Sequence, residues 1–252
     1  MPIYLIIYLL FFLYGTIIGS FINVCIYRLP GKENIVTVRS HCTSCGYQLK
    51  WYDLIPVFSY LFLGGRCRSC GGKISVQYPV IEVLNGILYV VIFKVYGLSS
   101  LSVLYCFFVS ALLVLSVIDY RTYEIPEGIN LFIGAVALIR MLTDLQRLSL
   151  YLTGFCCVSG FLLLIYIASK GRAVGGGDIK LMAVSGLLLG YRQIILAFIL
   201  GCILGSVLHL LQMRIHRKDR VLAFGPYLSL GIFCSMLYGE QIIAWYLKLF
   251  RV

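Results

Sequence analysis

The chain has very little charge for its length. Of its 252 residues only 12% are charged, just ten are acidic, and 61% are hydrophobic. A soluble core of this size cannot bury so much apolar surface, so the composition excludes an ordinary soluble protein and predicts an integral membrane protein. The apolar stretches predict an all-α fold, a polytopic bundle of about eight transmembrane helices. The predicted spans are 3–27, 78–96, 101–118, 128–142, 149–168, 179–191, 193–213 and 223–248.

Basic residues are absent from the start of the chain. No Lys or Arg precedes Arg28, so the first apolar segment lacks the charged start of a cleaved signal peptide. With alternating spans, one side of the membrane carries 15 of the 21 Lys and Arg residues, Lys180 being counted at its edge. The positive-inside rule makes that side cytoplasmic and places the N-terminus outside.

The net charge of +11 raises the question of a nucleic-acid partner. The charges lie in short loops between apolar runs, which argues against one. The basic residues of segment 214–220 are instead expected to contact anionic lipid headgroups. The sequence therefore predicts membrane lipid, and no nucleic acid, as a partner.

Four cysteines stand out in the one long polar segment. Cys42 and Cys45 form one Cys-x-x-Cys-Gly turn, and Cys67 and Cys70 form another. Two such turns can present four thiolates to a tetrahedral Zn²⁺, a closed structural site with no open position. Disulfides and free thiols are the alternatives, and a reducing cytosol argues against disulfides. His41 beside the first turn is expected to be a spectator.

The predicted organisation has three parts. Residues 1–28 form the first transmembrane helix, residues 29–77 a cytoplasmic four-cysteine zinc module, and residues 78–252 a transmembrane helix bundle. The span predicted at 179–191 is short before Arg192, so it is expected to be a short or re-entrant helix.

Two of the few acids lie at the ends of apolar segments. Asp119 ends the third predicted span and Asp178 opens the sixth, which puts both at the cytoplasmic boundary. Two neighbouring carboxyl groups can share one proton, so that one acts as a base on water and the other as an acid on a leaving nitrogen. The structural alternatives are that Asp178 caps its helix and that Asp119 balances Arg121.

Three glycines precede Asp178. Gly175, Gly176 and Gly177 would allow the backbone to approach a peptide substrate closely and to bend before the helix. They lack the spacing of either phosphate-binding fingerprint and follow no predicted strand. A nucleotide loop is therefore excluded.

The chain closely resembles the type IV prepilin peptidases, bacterial membrane aspartyl proteases of the Gly-x-Gly-Asp class. Its short stretch before Cys42 is most similar to the competence-type members. The resemblance runs nearly end to end and is carried by the paired cysteine turns and by residues 19–24, 28–30, 60–67, 78–82, 118–119, 175–180 and 224–227.

The resemblance implies cleavage of the basic leader from type IV prepilin-like precursors at the cytoplasmic face of the bacterial cell membrane. It implies that Asp119 and Asp178 are the catalytic pair. It also implies methylation of the new N-terminus with S-adenosylmethionine, in the region of Gly65 and Arg66. The chain departs from the common pattern at Arg121, at Glu127 after Pro126, and at Arg66, where a lysine is usual.

Two further charged residues have open roles. Glu82 begins a span, either as a membrane-edge anchor or in support of the site. Lys180 follows Asp178 and either binds a substrate carboxylate or, as we favour, extends to the interface.

Two other functions remain open from the sequence. A multipass transporter or channel with a structural zinc module would use the acids to bind cations or protons. A redox membrane protein would cycle Cys42 and Cys45 between thiol and disulfide.

Overall fold

The computed structural model of the chain describes residues 2–216 and 222–249. Within these residues the fold is all-helical, as predicted, with two isolated β-bridges and no strand. Most of the basic segment 214–220 lies outside the described residues. The helices are α1 (Pro2–Arg28), α2 (Phe58–Phe62), α3 (Gln77–Tyr96), α4 (Ser100–Thr122), α5 (Glu127–Thr143), α6 (Leu148–Ala168), α7 (Gly176–Leu189), α8 (Tyr191–His216) and α9 (Gly225–Leu249), with 3₁₀ turns at Trp51–Leu54 and Leu145–Arg147.

Each of the eight predicted spans coincides with a helix. Within residues 2–216 and 222–249, six helices are long and apolar enough to cross a membrane, namely α1, α3, α4, α6, α8 and α9. The other two, α5 and α7, have 17 and 14 residues, and at 1.5 Å per residue α7 measures about 21 Å, less than the hydrocarbon core. The chain is thus an integral membrane protein with six candidate spans, while a count of eight crossings stays a prediction.

The chain forms two compact units, Met1–Val114 and Leu115–Val252. The three-part division predicted from the sequence, at residues 28 and 77, stays a prediction. The first unit contains α1, α2, α3, most of α4 and the cysteine-bearing segment. The second contains the end of α4 and the remaining helices.

Helices α1 and α3 pack closely in the first unit. A Cβ on Gly19 would lie 2.7 Å from the Cα of Glu82, so a small residue is required there, as is typical of membrane helix pairs. The amide of Asn23 donates to the carbonyl of Tyr78 (3.1 Å), and the amide of Asn85 donates to the carbonyl of Gly15 (2.8 Å). These contacts fix the start of α3 against α1.

Helix α7 is the buried centre of the second unit. Leu181, Met182 and Leu188 are fully buried, and α5, α6 and α8 pack around them. Gly154 of α6 and Gly186 of α7 meet backbone to backbone, since a Cβ on Gly186 would lie 2.1 Å from the carbonyl oxygen of Gly154. A helix too short to span a membrane is tolerated here because protein, not lipid, surrounds it.

Candidate functional site

Asp119 lies in the last turn of α4 and is buried. Its Oδ2 accepts a hydrogen bond of 2.8 Å from the backbone N–H of Gly225, the first residue of α9. The first N–H groups of a helix have no partner within the helix and carry the positive end of its dipole. The carboxylate therefore satisfies an otherwise unpaired donor, and the donor stabilises the carboxylate.

Gly225 was not among the site residues predicted from the sequence. A Cβ at this position would lie 2.7 Å from Oδ2 of Asp119 and 3.0 Å from Leu115, so only glycine lets α9 begin against the carboxylate. The motif at residues 224–227 was the available signal. It did not reveal a role because its contact with Asp119 joins residues 106 positions apart.

Asp178 is the third residue of α7, and Gly175 is the N-cap of that helix. The Asp178 carboxyl group lies beside Gly175, and the Gly175 backbone lowers the pKa of this carboxyl group. A side chain at this position commonly reaches back to the N-cap backbone. The Asp178 carboxyl group therefore lies at the mouth of the helix, beside the N-cap residue.

The structure brings the two aspartates together at one cavity of about 290 Å³. Burial, and then the negative charge of Asp119, raise the pKa of Asp178 from 3.8 to about 7. Asp178 lies outside the six candidate spans, in the first turn of the short helix α7. At neutral pH this carboxyl group is partly protonated while Asp119 is held by an N–H donor, so the pair is asymmetric. The cavity is lined by Asp119, Tyr123, Glu124, Ile125, Gly175, Gly176, Gly177 and Asp178.

The three glycines before and within the first turn of α7 differ in the room around them. A Cβ on Gly177 would lie 2.9 Å from the Cβ of Ile125, whereas a Cβ on Gly176 would meet nothing within 4 Å. A Cβ on Gly175 would lie 3.2 Å from Oδ2 of Asp178. The structure therefore places steric demands on Gly175 and Gly177 and not on Gly176.

Lys180 has a partner that the sequence did not suggest. Its Nζ forms an ion pair with the carboxylate of Glu127 at the start of α5. Both side chains are largely exposed, and the ammonium group lowers the pKa of Glu127. Lys180 thus links α7 to α5 at the end that carries Asp178.

The four cysteines form two matching turns. In the first, the N–H of Gly46 donates to the carbonyl of Cys42, and in the second the N–H of Gly71 donates to that of Cys67. Gly46 and Gly71 have φ of 73° and 71°, a left-handed geometry that favours glycine. Each turn is closed by a β-bridge, His41 with Gln48 and Arg66 with Lys73.

The sulfur positions fit a tetrahedral ion. All four Sγ atoms lie within 4.8 Å of one another, and those of Cys42 and Cys70 are 3.9 Å apart. Zn–S bonds of about 2.3 Å in a tetrahedron require sulfur atoms about 3.8 Å apart. The four thiolates therefore match a closed Zn²⁺ site. His41 is exposed and its Nδ1 lies 3.1 Å from the carbonyl of Arg39.

The residues predicted for support and methyl transfer lie in the first unit. Glu82 is buried, and its Oε2 accepts a hydrogen bond of 2.7 Å from the N–H of Val57. Gly65 is buried against the ring of Tyr60, with φ of 68°. Arg66 is exposed on the second cysteine turn. Gly65 therefore shapes that turn, and Arg66 presents its guanidinium group to solvent.

Two family profiles match consecutive parts of the chain. The bacterial peptidase A24 N-terminal domain matches residues 13–96, and the type IV leader peptidase family matches residues 106–210. No solved structure gives a significant match.

Curated relatives match almost the whole chain. A prepilin leader peptidase/N-methyltransferase of Bacillus subtilis (strain 168) is 34% identical over 242 residues, covering 94% of this chain and 97% of the relative. Proteins of the same name from Aeromonas salmonicida (strain A449) and Pseudomonas putida are 30% and 29% identical, covering 95% and 91% of this chain and 93% and 90% of the relatives. The chain therefore belongs to the type IV leader peptidase family of membrane enzymes.

Proposed function

We propose that the protein is a membrane aspartyl endopeptidase that removes the basic leader from type IV prepilin-like precursors. The observation that carries the proposal is the pair of carboxyl groups at one cavity, one bonded to an N–H donor and the other with a pKa raised to about 7. Family membership favours this activity over the transporter and redox alternatives.

Asp119 serves as the general base. Its carboxylate takes a proton from a water molecule, and the resulting hydroxide attacks the carbonyl carbon of the scissile peptide bond. The N–H of Gly225 holds one carboxylate oxygen, so the other oxygen is available to orient the water. This reaction needs no metal ion and no nucleophilic side chain.

Asp178 serves as the general acid. Its proton passes to the leaving nitrogen as the C–N bond breaks, which completes hydrolysis of the peptide bond. A carboxyl group whose pKa lies near 7 is still partly protonated at neutral pH and releases its proton readily when the nitrogen becomes basic. Asp178 lines the same cavity as Asp119, so both carboxyl groups can reach one bound peptide.

The active site is proposed to lie at the cytoplasmic face of the bacterial cell membrane, with the N-terminus outside. The charge asymmetry of the loops supports this orientation. A prepilin presents a basic leader followed by an apolar helix, so its scissile bond lies at the same boundary. Holding that bond beside an activated water molecule accounts for much of the rate enhancement.

Methylation of the new N-terminus is proposed as a second activity, because the curated relatives are named N-methyltransferases as well as peptidases. S-adenosylmethionine supplies the methyl group to the terminal amine. The exposed guanidinium group of Arg66 can bind the carboxylate of this donor, and Gly65 holds the turn that presents it.

The four cysteines are proposed to hold one structural Zn²⁺, which would clip the two turns of residues 29–77 together. Elemental analysis of the purified protein should then give one zinc per chain.

The test of the main proposal is a cleavage assay with matched acidic variants. Purified protein in lipid is incubated with a prepilin and S-adenosylmethionine, and mass spectrometry reports leader loss and methyl gain separately. Asp119→Asn and Asp178→Asn should each lower the cleavage rate by about 10³-fold, within the range for loss of acid–base catalysis. Glu124→Gln is the control, because it removes an acid lining the same cavity.

Glu124→Gln should cleave at the wild-type rate. The assignment fails if either Asp→Asn variant retains substantial cleavage while inserted in the membrane. If Arg66→Ala removes the leader normally but adds no methyl group, this result would support the separate methyl-transfer proposal. Unchanged methyl gain in that variant would contradict the role of Arg66.

A further inference from the structure

Helix α2, which lies between the two cysteine turns in the sequence, has an apolar face that nothing in the described chain covers. Phe58, Leu61 and Phe62 are 54%, 66% and 88% exposed. Positions i, i+3 and i+4 lie on one side of a helix, so these three side chains form a continuous apolar strip. Trp51, on the 3₁₀ turn that contacts α2, is 78% exposed.

The depth of α2 follows from its contact with α3. The N–H of Val57, the N-cap of α2, donates to Oε2 of Glu82 at 2.7 Å. Glu82 lies five residues after the first residue of the candidate span Gln77–Tyr96, which is about 7.5 Å along the helix axis. Because helical side chains tilt toward the N-terminus, the carboxylate reaches back toward the membrane surface, where α2 begins.

The placement of α2 is enforced by the protein rather than left to a mobile loop. Val57 has φ of 63°, a geometry that a β-branched residue adopts only when its surroundings impose it. Its N–H is held by the buried carboxylate of Glu82. Tyr60, the remaining large side chain of α2, packs on Gly65 beneath the second cysteine turn.

The charge of the surrounding segment indicates what covers the apolar strip. Residues 29–77 contain six basic and two acidic residues, a net charge of +4. Four thiolates with one Zn²⁺ would add two negative charges, so the segment remains positive. A segment that is positive overall and carries an apolar strip is complementary to anionic headgroups above an acyl layer.

We propose that α2 is an interfacial helix, which inserts Phe58, Leu61 and Phe62 into the anionic lipid leaflet beside α3. Helices of this kind bury their apolar face about 5–10 Å into the boundary between headgroups and acyl chains. The distance of about 7.5 Å along α3 from the first residue of its candidate span to Glu82 falls within that range. The hydrogen bond from Val57 to Glu82 thus sets the depth of α2. The contact of α2 with lipid in turn positions the cysteine-bearing segment.

The test uses the fact that the chain has two tryptophans. Trp51→Phe with Trp245→Phe gives a tryptophan-free background, to which Phe62→Trp is added as a reporter on α2. Gln48→Trp in the same background is the matched control, because Gln48 is exposed on the first cysteine turn. Both proteins are placed in vesicles of phosphatidylglycerol and phosphatidylcholine, and zinc content and leader cleavage confirm that they are folded.

Phospholipids brominated near the headgroup end of their acyl chains should reduce the emission from position 62 about twofold, and lipids brominated near the methyl end should reduce it less. Iodide in the water should quench position 48 and leave position 62 largely unaffected. Equal quenching of the two positions by iodide would overturn the proposal. Protection of position 62 that occurs only after a prepilin is added would also overturn it, and would identify the strip as a substrate surface.

Discussion

The cysteine-bearing segment and the aspartate cavity differ in how their parts are spread along the chain. Each cysteine turn is complete within a few residues, and the glycine that shapes it follows the second ligand directly. The cavity lies between the end of α4 and the start of α7, and Gly225 at the start of α9, 106 residues from Asp119, donates to the Asp119 carboxylate. The first region depends on local backbone geometry, and the second depends on the packing of whole helices.

This contrast predicts that substitutions in the two regions have different consequences. A local metal site should lose its structure when one ligand is removed, while the rest of the chain keeps its fold. A site assembled by packing should lose activity through small displacements that leave the fold intact.

The largest effect is expected from removing a zinc ligand. Cys67→Ser should lower zinc affinity by more than about 100-fold, because changes to groups behind the ligands alone cost about 10- to 100-fold. The segment 29–77 should then be cut rapidly by a protease, since structural zinc sites supply much of the folding energy of small modules. Methyl transfer should fall more than leader cleavage.

Ser69→Ala, between Cys67 and Cys70, is the matched control and should keep its zinc. A zinc-free protein whose cysteine turns resist proteolysis as well as the wild type does would show that the metal is not structural. It would also remove the contrast with the aspartate cavity.

The two regions also differ in how much the sequence revealed. The cysteine turns could be predicted fully, because ligand spacing and glycine position are local features. The membrane helices could be predicted because apolar composition over about 20 residues decides them. The contacts of Gly225 with Asp119, Lys180 with Glu127, and Val57 with Glu82 could not, because each joins distant residues through helix packing.

Asp119 and Asp178 fall between these cases. Their position at the ends of apolar segments, and the resemblance to a known family, identified them as candidates. Their asymmetry required the structure, because it arises from the N–H of Gly225 and from burial of Asp178. Helix α2 could not be predicted, because a five-residue helix has too few positions to show a periodic pattern.

The second prediction tests packing at the cavity. Gly177→Ala should lower the cleavage rate by about 100-fold, because a methyl group 2.9 Å from the Cβ of Ile125 must displace the start of α7, and a shift of about 1 Å can have that effect. Gly176→Ala is the control and should cleave within about threefold of wild type, as expected for a substitution without a steric conflict.

Ile125→Ala should partly restore the activity of Gly177→Ala, because it removes side-chain atoms from the conflict. A double-mutant cycle on cleavage rates measures this coupling. Additive effects of the two substitutions would mean that Gly177 acts in some other way than by steric fit.

The third prediction concerns pH. If Asp178 must be protonated to act as the acid, cleavage should fall about tenfold per pH unit above its pKa of about 7. The free energy of unfolding should also fall as the pH rises. The folded pKa lies above the unfolded value of 3.8, so the folded state holds more protons between these values, and its stability falls as pH rises through this window.

Thermal unfolding measured across that window should therefore show a decline in the wild type that is smaller in Asp178→Asn. Glu124→Gln should keep the wild-type dependence of both activity and unfolding on pH. Constant cleavage from pH 6 to about 9 would contradict the assignment of Asp178 as a general acid with this pKa.

The smallest effect is expected from the ion pair between α5 and α7. Lys180→Met keeps most of the length of the side chain but removes the charge that pairs with Glu127. Because both groups are largely exposed and solvent weakens such pairs, cleavage should stay within about threefold of wild type. Glu127→Gln should have the same small effect, and the double variant should add nothing. A large loss in Lys180→Met alone, measured with the same prepilin, would instead show that the ammonium group binds the substrate. The aspartate cavity would then depend on a charge as well as on helix packing.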